Sequence, residues 1–151
     1  MTKRMVRLLL LSALTVSCSG EGQDEASSET NAARPPEVAA PTVSILAPIE
    51  GSFQEETEVT VRLGSTVSIL PAGDMTPGTG HHHLYLDADL GDMTAPIPSV
   101  PGSIIHMGDA SREYTFENVS SGAHRLLAVV ADGAHIPLQP LVVDTVNFVV
   151  E

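Results

Sequence analysis

The chain has 151 residues, a formal net charge of −12 at neutral pH, and a hydrophobic fraction of 42% that is almost free of aromatics, so its core must be built from Val, Leu and Ile. That acidity repels phosphate backbones and anionic surfaces, which excludes nucleic acid and a polybasic membrane patch as modes of action. A single cysteine rules out an intrachain disulfide, and the fold must stand on apolar burial alone.

Residues 1–17 read as a secretory signal. Lys3, Arg4 and Arg7 form a basic start, and Val6 to Val16 is, beyond Arg7, an apolar stretch interrupted only by Ser12 and Thr15. It is too short to cross a bilayer as a helix. Cys18 lies where a signal peptidase would cut, and Leu14-Thr15-Val16-Ser17-Cys18 resembles a bacterial lipobox with its leucine displaced one place outward. The expectation is lipidation of Cys18 and an exported protein at the outer membrane or the periplasmic face. Its only membrane contact is then the N-terminal lipid, since no second long apolar segment follows. Loss of 1–17 leaves four arginines, no lysine and nineteen acids. Residues 18–42 are polar, acidic and rich in Ala, Pro and Ser, which predicts a disordered linker.

A domain is expected over 43–151. Val43–Leu46 is a short strand. Glu58–Leu63 alternates cleanly, is broken at Gly64-Ser65 and resumes as Thr66–Leu70. A Pro/Gly-rich loop, Pro71–Gly80, leads into a strand over His81–Ala88. After a long connection with three prolines come Ser103–Met107, Arg112–Glu117, Ala123–Ala131 and Leu141–Val150. No stretch carries a helical period. Short strands at this spacing predict an all-β fold, a seven-stranded immunoglobulin-like antiparallel sandwich, and the Gly-ended turn Val119–Gly122 before a strand fits that class.

The candidate site starts from three consecutive histidines, His81, His82 and His83, at a strand start where imidazoles can be held rigidly and still face solvent. In an immunoglobulin-like order, the start of the third strand, the corner holding His106 and the loop holding His135 fall at one rim. Alternation puts His81 and His83 on one face and His82 on the other, where it is expected to bond a loop carbonyl. His124 starts the sixth strand, about 25–30 Å away at 3.3 Å per residue, and is excluded. His81, His83, His106 and His135 are therefore the candidate metal ligands. Without a cysteine ligand, imidazoles suit a copper or zinc ion, and Met75 and Met107 on the same rim tilt the expectation towards copper. Asp74 and Asp109 are candidate outer partners for the imidazoles.

These residues resemble the DUF4399 family, small exported bacterial domains of unknown function. The resemblance rests on Pro77-Gly-Thr-Gly-His-His-His-Leu84 followed by Asp87, on Pro96-Ile97-Pro98, on a Gly-x-His-x-Leu strand at Gly122–Leu126, and on Asp132-x-x-His-x-Pro137. It runs from about Val43 to Val150. Met107 stands where the family's His–aromatic–Gly element has its aromatic, and Leu138 stands where members often carry a further histidine. The resemblance implies a recurrent site and no activity.

The expected function is a lipid-anchored envelope module that binds copper or zinc. The competing reading is a structural or interaction domain of the envelope with a protein partner. A metal-dependent hydrolase with Asp87 or Asp109 as base is a third, but no nucleophile or acid–base motif supports it, and the expectation is that the chain is not an enzyme.

Overall fold

The computed structural model describes residues 39–151, so the signal segment, Cys18 and all but the last four residues of the linker lie outside the described part. Nine strands follow one another: β1 (Val43–Ala47), β2 (Phe53–Gln54), β3 (Val59–Ser65), β4 (Ser68–Ile69), β5 (Thr79–Leu86), β6 (Ile104–Met107), β7 (Glu113–Phe116), β8 (Gly122–Ala131) and β9 (Val143–Val150). The described residues hold no helix, and so none long and apolar enough to cross a membrane. The fold is all-β.

The strands form a three-stranded sheet, β1-β3-β7, and a six-stranded one, β2-β9-β8-β5-β4, with β6 also on β5. Two strands exceed the expected seven. β2 is a two-residue segment lying parallel to β9. β4 is the resumed half of the expected second strand, and it does not continue β3. At the Gly64-Ser65 break the chain leaves the small sheet and pairs parallel with β5 in the large one. The expected all-antiparallel pairing is thus relieved at two short edges. Two-residue strands carry too little alternation to be read from sequence.

Alternation builds the main core. Val43 and Ile45 of β1, Val59, Val61 and Leu63 of β3, and Phe116 of β7 point inwards, against Leu84, Leu126, Ala128, Val130, Val146 and Phe148 of the large sheet. Each of these side chains larger than alanine contributes roughly 1.5–3 kcal/mol when taken out of water.

The second face of the large sheet departs from a simple half-solvated antiparallel sheet. β5 is buried along all eight residues, and β8 is buried continuously from Leu126 to Ala131. The cover is the long connection between β5 and β6. Its Ile97 packs with Tyr85, Ile104, Leu127, Val129 and Ala131 in a second, smaller core. The prolines of that connection give it no readable period, yet it acts as a fixed layer.

Candidate metal centre

The register of β5 sets the site. His83 lies opposite His106 of β6 and Val129 of β8, and His81 lies opposite Ala131 at the end of β8. His81, His83 and His106 therefore share the face that carries the second core. The loop after β8 brings the fourth ring. Asp132 takes the backbone N–H of Ala134 and of Ile136 on one carboxylate oxygen, at 2.9 Å each, and its carbonyl takes the N–H of His135. This tight loop holds His135 at φ 68°, a left-handed backbone that costs a β-carbon-bearing residue free energy and persists only where its surroundings hold it.

The four rings form one cluster, with all six centroid separations between 4.6 and 5.8 Å. One nitrogen each of His81, His83 and His106 can be chosen so that all three lie within 4.8 Å of one another, a group that His135 joins by ring position and not by its nitrogens. His81 Nε2 and His83 Nε2 are 3.0 Å apart. Two bonds of about 2.0–2.1 Å to a common ion place imidazole nitrogens at roughly this separation.

The cluster is not open to solvent as the sequence suggests. His81 and His83 are 0% and 1% exposed, His135 is half-buried, and only His106 is exposed. Access runs past His106. Burial first, and then the charges that His106 and His135 would carry, push the His81 pKa down to about 4. Burial and the neighbouring His81 push His83 down to about 3. Both rings are neutral at physiological pH, the form that offers lone pairs to a metal. Two neutral imidazoles hold two N–H donors and two lone pairs, and the Nε2–Nε2 contact uses one of each. The other nitrogens, His81 Nδ1 and His83 Nδ1, are buried without a partner. Unpaired buried nitrogens cost on the order of 1–3 kcal/mol each, and His82 Nε2, on the opposite face, is a third such atom, so it is the convergence of the rings together with the unpartnered nitrogens that marks the cluster.

The remaining sequence candidates separate cleanly. His82 faces the main core, and its Nδ1–H donates to the Ser111 carbonyl at 3.2 Å, the structural role expected of it. His124 is apart from the cluster. Its Nδ1–H donates to Asp87 at 2.6 Å, its Nε2–H to the Ser120 carbonyl at 2.8 Å, and its ring lies on Phe148. Met107, one position past His106, points the other way into the main core and is no soft ligand. Met75 is exposed on the loop before β5. Asp87, a suggested general base, is held by His124 and by the Arg125 backbone N–H, at the opposite end of β5 from His81. Asp74 and Asp109 each accept the backbone N–H two residues on, from Thr76 and Ser111, and neither is hydrogen-bonded to an imidazole.

Sequence reasoning missed two supports. A β-carbon on Gly108 would lie 2.4 Å from His106 Cε1, so only glycine leaves that ring its place. One on Gly133 would lie 2.1 Å from the Asp74 carbonyl oxygen, so glycine there lets the loop before β5 close on the His135 loop. Both glycines lie inside motifs already visible in the sequence, but the Gly108 clash depends on the direction of the His106 ring two residues away, and the Gly133 clash on Asp74, distant in the chain.

A family model described as Domain of unknown function (DUF4399) matches residues 59–151. The match starts at β3, so β1, which pairs with β3, lies before it. No curated protein and no solved structure matches the chain.

Proposed function

The chain belongs to the DUF4399 family, and we propose that it is an exported, lipid-anchored binding module that holds one Cu(II) or Zn(II) ion on His81, His83, His106 and His135. One observation carries this reading: rings from β5, β6 and the β8–β9 loop converge within 5.8 Å of one another, and the two most buried are neutral with unpartnered nitrogens. A cluster of apolar side chains would stabilise this position better, and four adjacent imidazoles make sense where their lone pairs are used. With Met107 in the main core, only the exposed Met75 remains as a thioether candidate, and the imidazoles themselves suit the two ions equally.

We read the module as a binder and not an enzyme: Asp87 is tied to His124, and Asp109, whose charge reaches His106, already accepts the Ser111 N–H. The lipid on Cys18 and the envelope location rest on the signal and lipobox pattern. The fold reading is immunoglobulin-like. With the seven longer strands lettered in order, the sheets run A-B-E and G-F-C-D, and only the D strand differs from the constant-type arrangement.

Calorimetric titration of residues 18–151 carrying Cys18→Ser, with Zn(II) and Cu(II), tests the reading. One ion per chain is expected. His83→Ala should weaken binding by more than the roughly 10–100-fold that loss of an outer partner costs. His124→Gln should leave affinity unchanged. Binding no tighter than that of a His81→Ala/His83→Ala chain would refute the reading.

A further inference from the structure

A cavity of about 290 Å3, lined by none of the four histidines, lies over Tyr85 and Ile104 on the face of the large sheet that carries the cluster. Its floor is Tyr85 and Ile104, and its roof is the β5–β6 connection, including Met93, Ala95 and Ile97. Tyr85 follows His83 by two residues on β5, and Ile104 precedes His106 by two on β6, with His83 opposite His106 and Tyr85 opposite Ile104. The floor of the cavity is thus the next cross-strand pair along from the two histidines, a step of about 7 Å. The walls are joined as well, since the Ile97 N–H donates to the His135 carbonyl at 2.9 Å. Metal cluster and cavity share strands, face and a loop contact.

The lining selects the occupant. It is mostly aliphatic, with the buried Tyr85 ring as its one aromatic wall. Two carboxylates, Asp89 and Asp92, also line it. Asp89 is paired with Arg125, and Asp92 accepts from both the backbone N–H and the hydroxyl of Thr94. An anion meets those carboxylates on an already acidic chain, and a cation loses its hydration against apolar walls. An uncharged apolar molecule avoids both penalties. To use the neighbouring ion it needs one neutral lone pair at its end.

We propose that cavity and metal form one composite site for a small, uncharged aromatic nitrogen base of the azole or pyridine class. Its ring body fills the space over Tyr85 and Ile104, and its nitrogen lone pair binds the ion. This rests on the metal reading above and adds the class of ligand that reading leaves open. Coordination here is reversible and breaks no covalent bond.

The test compares 4-phenylimidazole with imidazole on residues 18–151 carrying Cys18→Ser, with and without one equivalent of Cu(II), by calorimetry and by the copper absorption and spin-resonance spectra. Copper affinity is measured first, so failure of the metal reading is seen separately, and it overturns this proposal with it. On the copper-loaded chain, 4-phenylimidazole should bind at least tenfold tighter than imidazole and perturb the copper spectrum. On the metal-free chain it should bind at least tenfold more weakly. Ala95→Trp, which fills the cavity, should erase the preference while copper affinity stays within about twofold. Ile97→Ala, which enlarges the cavity, should alter the preference too and guards against a poorly folded tryptophan variant. Equal affinity of the two probes on the copper-loaded chain overturns the proposal, as does a preference that both variants retain.

Discussion

Gly108 decides where the His106 ring can sit. Its backbone is not in the left-handed region, so alanine could adopt its conformation, and the main obstacle is the added methyl group 2.4 Å from Cε1 and 2.6 Å from Nε2 of His106, with the Ala72 β-carbon a lesser one at 3.2 Å. The imidazole is exposed and has somewhere to swing. Gly108→Ala should therefore leave the melting temperature within a few degrees of the parent, yet weaken Zn(II) or Cu(II) binding by roughly 10–100-fold, the scale of losing a ligand's support. Titration calorimetry beside a thermal scan separates the two effects. Unchanged metal affinity would show that the His106 ring position does not matter to binding. Asp132→Ala attacks the opposite support, since its carboxylate holds the two backbone N–H groups that shape the loop around His135.

β5 joins two histidine systems of opposite sign along one strand. At its start, the His81 and His83 pKa values lie at about 4 and about 3. The unfolded chain binds protons there that the folded chain refuses, so stability falls as pH drops below about 6.5 towards those values. At its end, Asp87 meets His124. Burial works against a charge on His124, but its hydrogen bonds to Asp87 and Ser120 and the Asp87 charge outweigh burial and raise its pKa. A raised histidine stabilises fully below about 6.5, and that contribution is lost as pH rises through the folded value. Urea unfolding of the metal-free chain should thus show stability climbing from pH 4 to about 6.5. His81→Ala/His83→Ala should flatten that climb, while His124→Gln should remove the decline above it and leave the climb in place.

The two ends of β5 also mark what could be read without coordinates. Alternation separates His81 and His83 from His82, and an immunoglobulin-like strand order brings His106 and His135 to the same rim while sending His124 away. Burial of the first two rings could not be read that way. Their neighbours are the rings of His106 and His135, from a short strand and from the loop at 132–136, segments too short or irregular to carry a period. The same limit hid β2 and the sheet change at Gly64-Ser65. The opposite directions of His106 and Met107 were, by contrast, available from alternation, and their shared place in one motif obscured it.

For the molecule as a whole, nineteen acids against four arginines beyond residue 17 give a surface that gathers any cation, so metal-dependent stability needs a control that separates surface attraction from the imidazole cluster. Calcium supplies it, because hard divalent ions take oxygen ligands and leave imidazole alone. An ion that binds only the folded chain stabilises it by about 2.7 kcal/mol at one hundred times its Kd. For a domain of this size, roughly 4 °C per kcal/mol makes that a rise of about 10 °C. Zn(II) at that excess should produce the rise, and Ca(II) at equal concentration should give a few degrees at most. His106→Ala/His135→Ala removes the two more accessible rings and leaves both apolar cores intact, so it should melt near the metal-free parent and lose the zinc-dependent rise. If calcium matched zinc, or if that double variant kept the full rise, the stabilising ions would lie among surface carboxylates, and the converging histidines would be a feature of packing alone.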